Sequence, residues 1–275
     1  MRTFLPLSLA IAVIACSGAE PGAADAVADD AATTAPAAPA KASAPADKAK
    51  PFAMNDAEEG GAGSREYSYS WPVEVSREPA LVQQFKATIA DDLAAQKRQW
   101  REAVADCPPD SVSCSSNTLS VEWKVVANLP RFLSLSSDVA TYTGGAHGNY
   151  GRGALVWDRQ TEKSFDPKDM FDLAALDKAT AAPRCRSLNA ERAKRRGEPV
   201  PAGSSEWSED CPEMDVVTLF VGSSDGNTFD RLGFYYAPYV AGSFAEGEYE
   251  VDLPVNATVL AAVKPQYRAV FTANR

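Results

Sequence analysis

Histidine is nearly absent from this chain: its 275 residues include one, His147. A metal centre that needs several imidazoles is therefore excluded. Long apolar runs are also missing. The longest, Phe4 to Ala15, is too short to cross a bilayer as a mature helix. Positive charge is in the minority, with 27 Lys and Arg against 37 Asp and Glu, a net charge of −10 and a pI near 4.8. That field repels a nucleic-acid backbone and an anionic membrane surface, so neither is expected as the main partner, and it steers cationic partners inward. No G-x-S-x-G elbow, H-E-x-x-H helix or Walker loop occurs, and no cofactor or metal is expected from any motif.

What is present begins with an address. Met1 and Arg2 followed by the Phe4 to Ala15 run form a signal peptide, and Val13-Ile14-Ala15-Cys16 has the order of a bacterial lipobox. Cys16 is then the lipidated residue and the membrane is a partner through the lipid. The alternative is an ordinary secretory signal cut near Ala19 or Ala24. A diacylglyceryl group plus an N-acyl chain anchors a protein more firmly than one chain does, and Ser17 after the cysteine points by analogy to the periplasmic side of an outer membrane. Residues 17–64 read as an Ala/Pro/Asp-rich tether, because no aromatic occurs between Cys16 and Phe52 and such a composition cannot bury enough apolar surface to offset its ordering entropy. As a flexible coil it spans roughly 35 to 40 Å.

Residues 65–275 read as one α+β domain, with a division into lobes at 65–140 and 141–275 as a variant. Tyr67, Tyr69, Trp71, Val73 and Val75 alternate with polar residues as in a strand, which Pro72 either confines to a sheet edge or splits. Pro79 to Asp106 has the three-four spacing of a long amphipathic helix lying across a sheet. Asn117 to Ala127 and Arg131 to Ala140 form a meander about Asn128-Leu129-Pro130. Gly153 to Asp158 is another strand. A helix is expected from Asp166-Pro167 through Leu176, a basic helix at Leu188 to Arg196, strands at Met214 to Val221, Asp230 to Tyr236 and Glu248 to Leu253, a closing helix within Pro254 to Lys264, and a last strand at Gln266 to Thr272.

Four cysteines remain after Cys16, and an exported protein meets an oxidising compartment. Three pairings are open. Cys107 with Cys114 and Cys185 with Cys211 are favoured because each closes a local loop, contributing about 2.5 and 3.5 kcal/mol in the chain-entropy model. A zinc site is the alternative, but the close C-x-x-C pairs it normally uses are absent.

The most unusual stretch is Tyr142-Thr143-Gly144-Gly145-Ala146-His147-Gly148-Asn149-Tyr150-Gly151, a loop expected to join two strands. His147 is its one candidate for chemistry, set against an imidazole held structurally by a backbone hydrogen bond. The Gly148-to-Gly153 run is close to a phosphate cradle but precedes a strand, so it lacks the helix N-terminus that would hold an anion. Phe234 and Tyr236 are expected in the core, leaving Tyr235 and Tyr239 as candidates for stacking on a ligand. Arg192, Arg195 and Arg196, with Lys194, form a basic cluster for an anionic ligand or else a solvated helix face.

Three stretches together carry a resemblance: Tyr142 to Gly148, the Asp158-to-Phe171 turn and helix start, and Gly233-Phe234-Tyr235-Tyr236-Ala237-Pro238-Tyr239-Val240-Ala241-Gly242 followed by Val251-Asp252-Leu253-Pro254. They resemble the PdaC/RsiV-like extracytoplasmic domain family over about Tyr67 to Phe271. That family includes a lysozyme-sensing anti-sigma factor, certain peptidoglycan deacetylases and many bacterial lipoproteins. The resemblance implies an α+β fold with an antiparallel sheet, an extracytoplasmic address and a suggestion of binding. It does not bring the deacetylase chemistry, which belongs to a separate metal-dependent domain whose ligands one histidine cannot supply. The expected function is a lipid-anchored, non-catalytic binding module for a lysozyme-like protein or a peptidoglycan or other glycan ligand at the cell wall. An envelope hydrolase using His147 and a structural lipoprotein of an outer-membrane assembly are the alternatives.

Overall fold

A computed structural model describes residues 48–60, 63–108, 111, 116–201 and 206–274. In strand β2 (Gly63–Trp71), Tyr67, Tyr69 and Trp71 alternate with polar residues and are at most 3% exposed, as one buried face requires. Pro72 ends the strand, and Val73–Ser76 turns into a short helix, α1. β2 is an interior strand, because Phe52–Gly60 forms β1 and pairs with it antiparallel from Phe52↔Trp71 to Gly60↔Gly63. This corrects the tether expectation over its last part. Phe52 stacks on Trp71 at 3.9 Å between ring centroids, and buried Arg65 bonds both Asp56 and Glu58. Residues 1–47, with Cys16 and the expected signal peptide, lie outside the described residues.

β2 pairs parallel with β3 (Ser116–Asn128), and parallel neighbours need a crossover. Helix α2 (Pro79–Ala105) supplies it. Leu81, Phe85, Ile89 and Trp100 share one buried stripe of α2, with Phe85 set among the rings of Tyr69, Trp71 and Trp123. β4 (Phe132–Tyr142), β5 (Asn149–Asp158) and β6 (Lys163–Phe165) continue antiparallel to complete a six-stranded sheet in the order β1 to β6. Strand alternation sends Leu133, Leu135, Leu155 and Trp157 to the α2 side and Phe132 and Val156 to the other. The two cores are thus divided by the faces of this sheet and not at residue 140.

The second sheet is antiparallel, β7 (Thr218–Gly222), β8 (Arg231–Tyr236) and β9 (Tyr249–Pro254). Before it runs α3 (Leu173–Arg196), capped by Asp172, whose side chain accepts from the Ala175 amide at 3.0 Å, and ended at left-handed Gly197. The helix expected from Asp166 is a 3-10 turn at Pro167–Met170 followed by the start of α3, which is continuous with the basic segment. α4 (Ala257–Ala262) follows β9. The last expected strand is corrected to a 3-10 segment, Pro265–Val270, after which Phe271 makes a single bridge to Phe229. β8 turns Tyr235 toward Arg152 of β5 and Phe234 toward Arg184 of α3. The layers therefore run α2, large sheet, small sheet, α3, an α+β fold. Among the described residues no helix is long and apolar enough to cross a membrane.

Cys185 and Cys211 form a disulfide, Cα to Cα 5.5 Å, closing a loop of 26 residues. Cys107 is also disulfide-bonded, and its expected partner Cys114 lies outside the described residues.

Phe85 is 2% exposed and touches aromatic rings from two strands. Phe85→Ala is expected to lower unfolding stability by about 3 to 5 kcal/mol, through lost transfer energy plus the cavity left behind. Urea denaturation checks this, and a loss under about 1 kcal/mol would show that the α2 side of the sheet is not a packed core.

Candidate binding site

The loop joining β4 to β5 covers residues 143–148. Gly144 and Gly145 have φ of 99° and 94°, and a Cβ on Gly148 would fall 2.7 Å from the Thr141 carbonyl oxygen, so the turn cannot close on bulkier residues. The Tyr142 hydroxyl donates to the Gly145 carbonyl at 3.0 Å and braces it. His147 is exposed at the tip, its Nδ1 2.7 Å from the Gly148 carbonyl oxygen. A carbonyl can only accept, so the neutral ring carries its proton on Nδ1 and keeps the Nε2 lone pair outward. The Tyr239 hydroxyl lies 3.5 Å from Nε2.

The imidazole stacks on Phe244, with ring centroids 4.0 Å apart and planes 20° from parallel. Tyr239 approaches the same phenyl ring at 5.6 Å and Tyr150 meets it edge-on at 5.9 Å. Tyr239 is 55% exposed and Tyr150 37%. The glycine loop and the Ala237-to-Gly242 stretch, 92 residues apart at His147 and Tyr239, are thus brought together on one exposed aromatic cluster.

The backbone beneath Phe244 is held by Glu246. Its carboxylate accepts from the Ser243 amide at 3.1 Å, completing a capping box around the 3-10 turn Phe244–Glu246, and from the Tyr249 hydroxyl at 2.6 Å. It also pairs with Arg196 at 2.8 Å. Burial pushes this carboxyl upward, but the bonds from Tyr249 and Arg196 outweigh it and hold it at about 2.

The expectation of a shared ligand surface on the basic cluster is corrected at Arg192, which is buried, whereas Arg196 is half-buried and Arg195 stays exposed. Arg192 is 0% exposed; its Nε donates to the Ala241 carbonyl at 2.8 Å and one terminal nitrogen to the carbonyls of Glu209 and Asp210 at 3.0 and 2.9 Å. Arg195 donates to the carbonyls of Glu246 and Glu248 at 2.7 and 2.6 Å and lies over the Tyr249 ring. Arg196 links Glu246 to the Ser208 carbonyl. Tyr235 is corrected as well: it is 1% exposed beneath the Arg152 guanidinium, and burial followed by the charge of Glu248 pushes its hydroxyl up to about 12. Of the proposed contact residues, His147, Tyr239 and Arg195 are exposed, and His147 and Tyr239 meet each other.

Phe244, Tyr150 and Glu246 are site residues that sequence reasoning missed. The Ser243-x-x-Glu246 spacing is a capping-box signal that would have located the turn. Beside the cluster a groove of about 290 Å³ runs along β4 and β5, lined among others by Glu122, Asp138, Tyr150, Arg152 and Glu248. Arg152, in its wall, bridges Asp138 and Glu250 at 2.9 and 2.7 Å. Among the described residues no group of three or more His, Cys, Asp or Glu gathers as metal ligands.

Residues 62–150 match the family model described as Deacetylase PdaC, a span from the start of β2 through the His147 loop. No curated protein matches. Among solved structures, a DUF3298 family protein from Pseudomonas aeruginosa PAO1 aligns with a TM-score of 0.54 at 18% identity, covering 84% of this chain and 99% of that one. A DUF3298 family member from Bacteroides fragilis NCTC 9343 aligns with a TM-score of 0.46 at 15% identity, covering 75% and 90%. The family resemblance drawn from the sequence is therefore met in residues 62–150, and the Pseudomonas protein shares the fold over nearly its whole length.

Glu246 generates a pH test. The unfolded carboxyl takes its proton near 4.5 and the native one near 2, so its contribution to stability is complete above about 4.5 and is lost as pH falls to about 2. Denaturation midpoints followed from neutral pH into that window should fall less steeply for Glu246→Gln than for the wild type. Identical slopes would remove Glu246 from the account.

Proposed function

We propose that this protein is a lipid-anchored envelope protein whose α+β domain binds a saccharide-bearing or protein ligand at the cell wall, without catalysis of its own. One observation carries the reading: two resemblance-bearing stretches converge where exposed His147, Tyr150 and Tyr239 gather on half-buried Phe244. Exposed rings with a hydroxyl at one edge offer an apolar face and a polar handle together, which suits a sugar ring or an aromatic-seeking protein loop. The adjoining groove supplies charged groups at hydrogen-bonding range for a ligand longer than one ring. The anchor at Cys16 and the periplasmic side of an outer membrane are the address this reading assigns, from the lipobox order alone.

A hydrolase built on His147 draws less support. Its Nδ1 is engaged by a backbone carbonyl and, among the described residues, no nucleophile hydrogen-bonds to its Nε2, whose polar neighbour is a phenol at 3.5 Å.

Two measurements test the proposal. The protein has one histidine, so its imidazole gives a single set of NMR signals. Titration with soluble peptidoglycan fragments, chitin oligomers and a lysozyme should move those signals for at least one ligand, and Tyr239→Ala or Phe244→Ala should weaken that binding roughly tenfold or more. Signals unmoved by every ligand would defeat the reading. Separately, mass spectrometry of the native protein should find a diacylated Cys16 at the N-terminus, and Cys16→Ser should move the protein from the membrane to the soluble fraction.

A further inference from the structure

The Cys185–Cys211 disulfide and the aromatic cluster are joined through α3's arginines by a set of polar contacts. Residues next to Cys211 present their carbonyls to α3: Asp210 and Glu209 to Arg192, Pro212 to Arg184 and Ser208 to Arg196. The same Arg192 donates to the Ala241 carbonyl, and the same Arg196 pairs with Glu246. Ala241 and Glu246 bracket Phe244, the ring on which His147 rests. An added Cβ on Gly242 would meet the Glu246 carboxylate at 2.8 Å, so this segment and Glu246 pack closely and need a residue without a side chain here.

We propose that the disulfide and these arginines form a redox-sensitive clamp on the candidate binding site, so that reduction of Cys185–Cys211 loosens Phe244 and the stacked imidazole while the rest of the domain stays folded. The clamp rests on the binding reading only for its consequence, since its geometry is independent of any ligand. Arg184 and Arg192 are each about 1% exposed or less; the segment that the disulfide fastens gives Arg192 the carbonyls of Glu209 and Asp210 and gives Arg184 that of Pro212, beside the Asp177 carboxylate, while Arg184 Nε and one terminal nitrogen of Arg192 are buried without an acceptor. Releasing that segment leaves buried donors without acceptors, a costly state that favours movement of the arginines and whatever else they hold. Both cysteines are half-buried, within reach of a dithiol reductant. One thiolate of that reductant attacks a sulfur of the pair, forming a mixed disulfide and expelling the other cysteine as a thiolate, which takes up a proton. The second reductant thiolate then displaces the remaining cysteine, so the protein gains two electrons and two protons and the reductant leaves as a disulfide. Arg192 and Arg196 are the positioning residues of this device.

The single imidazole again provides the readout. In the oxidised full chain its ring protons should be displaced upfield by the Phe244 ring current. In a Cys185→Ser/Cys211→Ser protein with unchanged far-ultraviolet circular dichroism, they should return toward the position of an unstacked histidine, and amide exchange over residues 243–247 should accelerate roughly tenfold or more. Cys107→Ser, which removes the other disulfide, should leave both observables unchanged. If the double variant does not fold, Arg192→Lys and Arg196→Gln with the disulfide intact should produce the same displacement. Unmoved imidazole signals in the folded variants would overturn the clamp, as would loss of the whole domain's fold when dithiothreitol reduces the Cys107→Ser chain, in which that other disulfide is already removed. Failure of every ligand to bind would leave these ligand-free measurements standing, and a chain that binds its ligand equally well oxidised and reduced would overturn the regulatory role.

Discussion

The arrangement of the second half of this domain depends on one buried cation. The guanidinium of Arg192 lies out of water between α3, the segment around Asp210 and the turn after β8, and it meets oxygen atoms from all three. Burying an unpaired cation costs several kcal/mol, and here Asn189 and the carbonyls of Ala241, Glu209 and Asp210 offset that cost in place of a carboxylate. Backbone oxygens cannot be moved without moving the chain that carries them. A charge solvated in this way therefore fixes main-chain positions, which a surface ion pair between two flexible side chains does not.

That constraint explains how an exposed cluster can be well positioned although its own members make few strong bonds. The His147 loop is shaped by glycine stereochemistry and braced by Tyr142, and Phe244 is carried on a capped 3-10 turn tied to Tyr249 and α3. The rings then meet edge and face at distances typical of favourable aromatic pairs. Precision in the site comes from the layers beneath it, and the surface itself remains free to present apolar faces.

Much of the framework was legible in the sequence because its signals are local. The Tyr67–Trp71 alternation, the α2 stripe from Leu81 to Trp100 and the glycine turn before Asn149 each follow from nearest neighbours along the chain. β1 was not legible, since Asp56 and Glu58 read as linker residues until Arg65 of β2 is placed beside them. Pro183 concealed the continuity of α3, because a missing helical hydrogen bond reads as a break unless packing carries the helix through it. Arg192, Arg195 and Arg196 looked like a solvated basic face for a related reason: their acceptors at Ala241 and at residues 246 and 248 come from about 50 residues further along the chain. Tyr235 and Tyr239 could not be separated by pattern alone, as β8 is covered on both faces and buries the first against strand parity, while a turn outside the strand exposes the second.

Tyr239 has a backbone φ of 71°, in a region that residues with a Cβ normally avoid. Left-handed geometry costs a tyrosine about 1 to 2 kcal/mol relative to glycine, and this side chain recovers little of that by burial, since more than half of it faces water. A sequence tuned for thermodynamic robustness alone would place glycine there. The domain instead tolerates a locally unfavourable conformer so as to hold a phenol at its outer boundary, and this gives the durability of the scaffold and the usefulness of that ring opposite demands on a single codon.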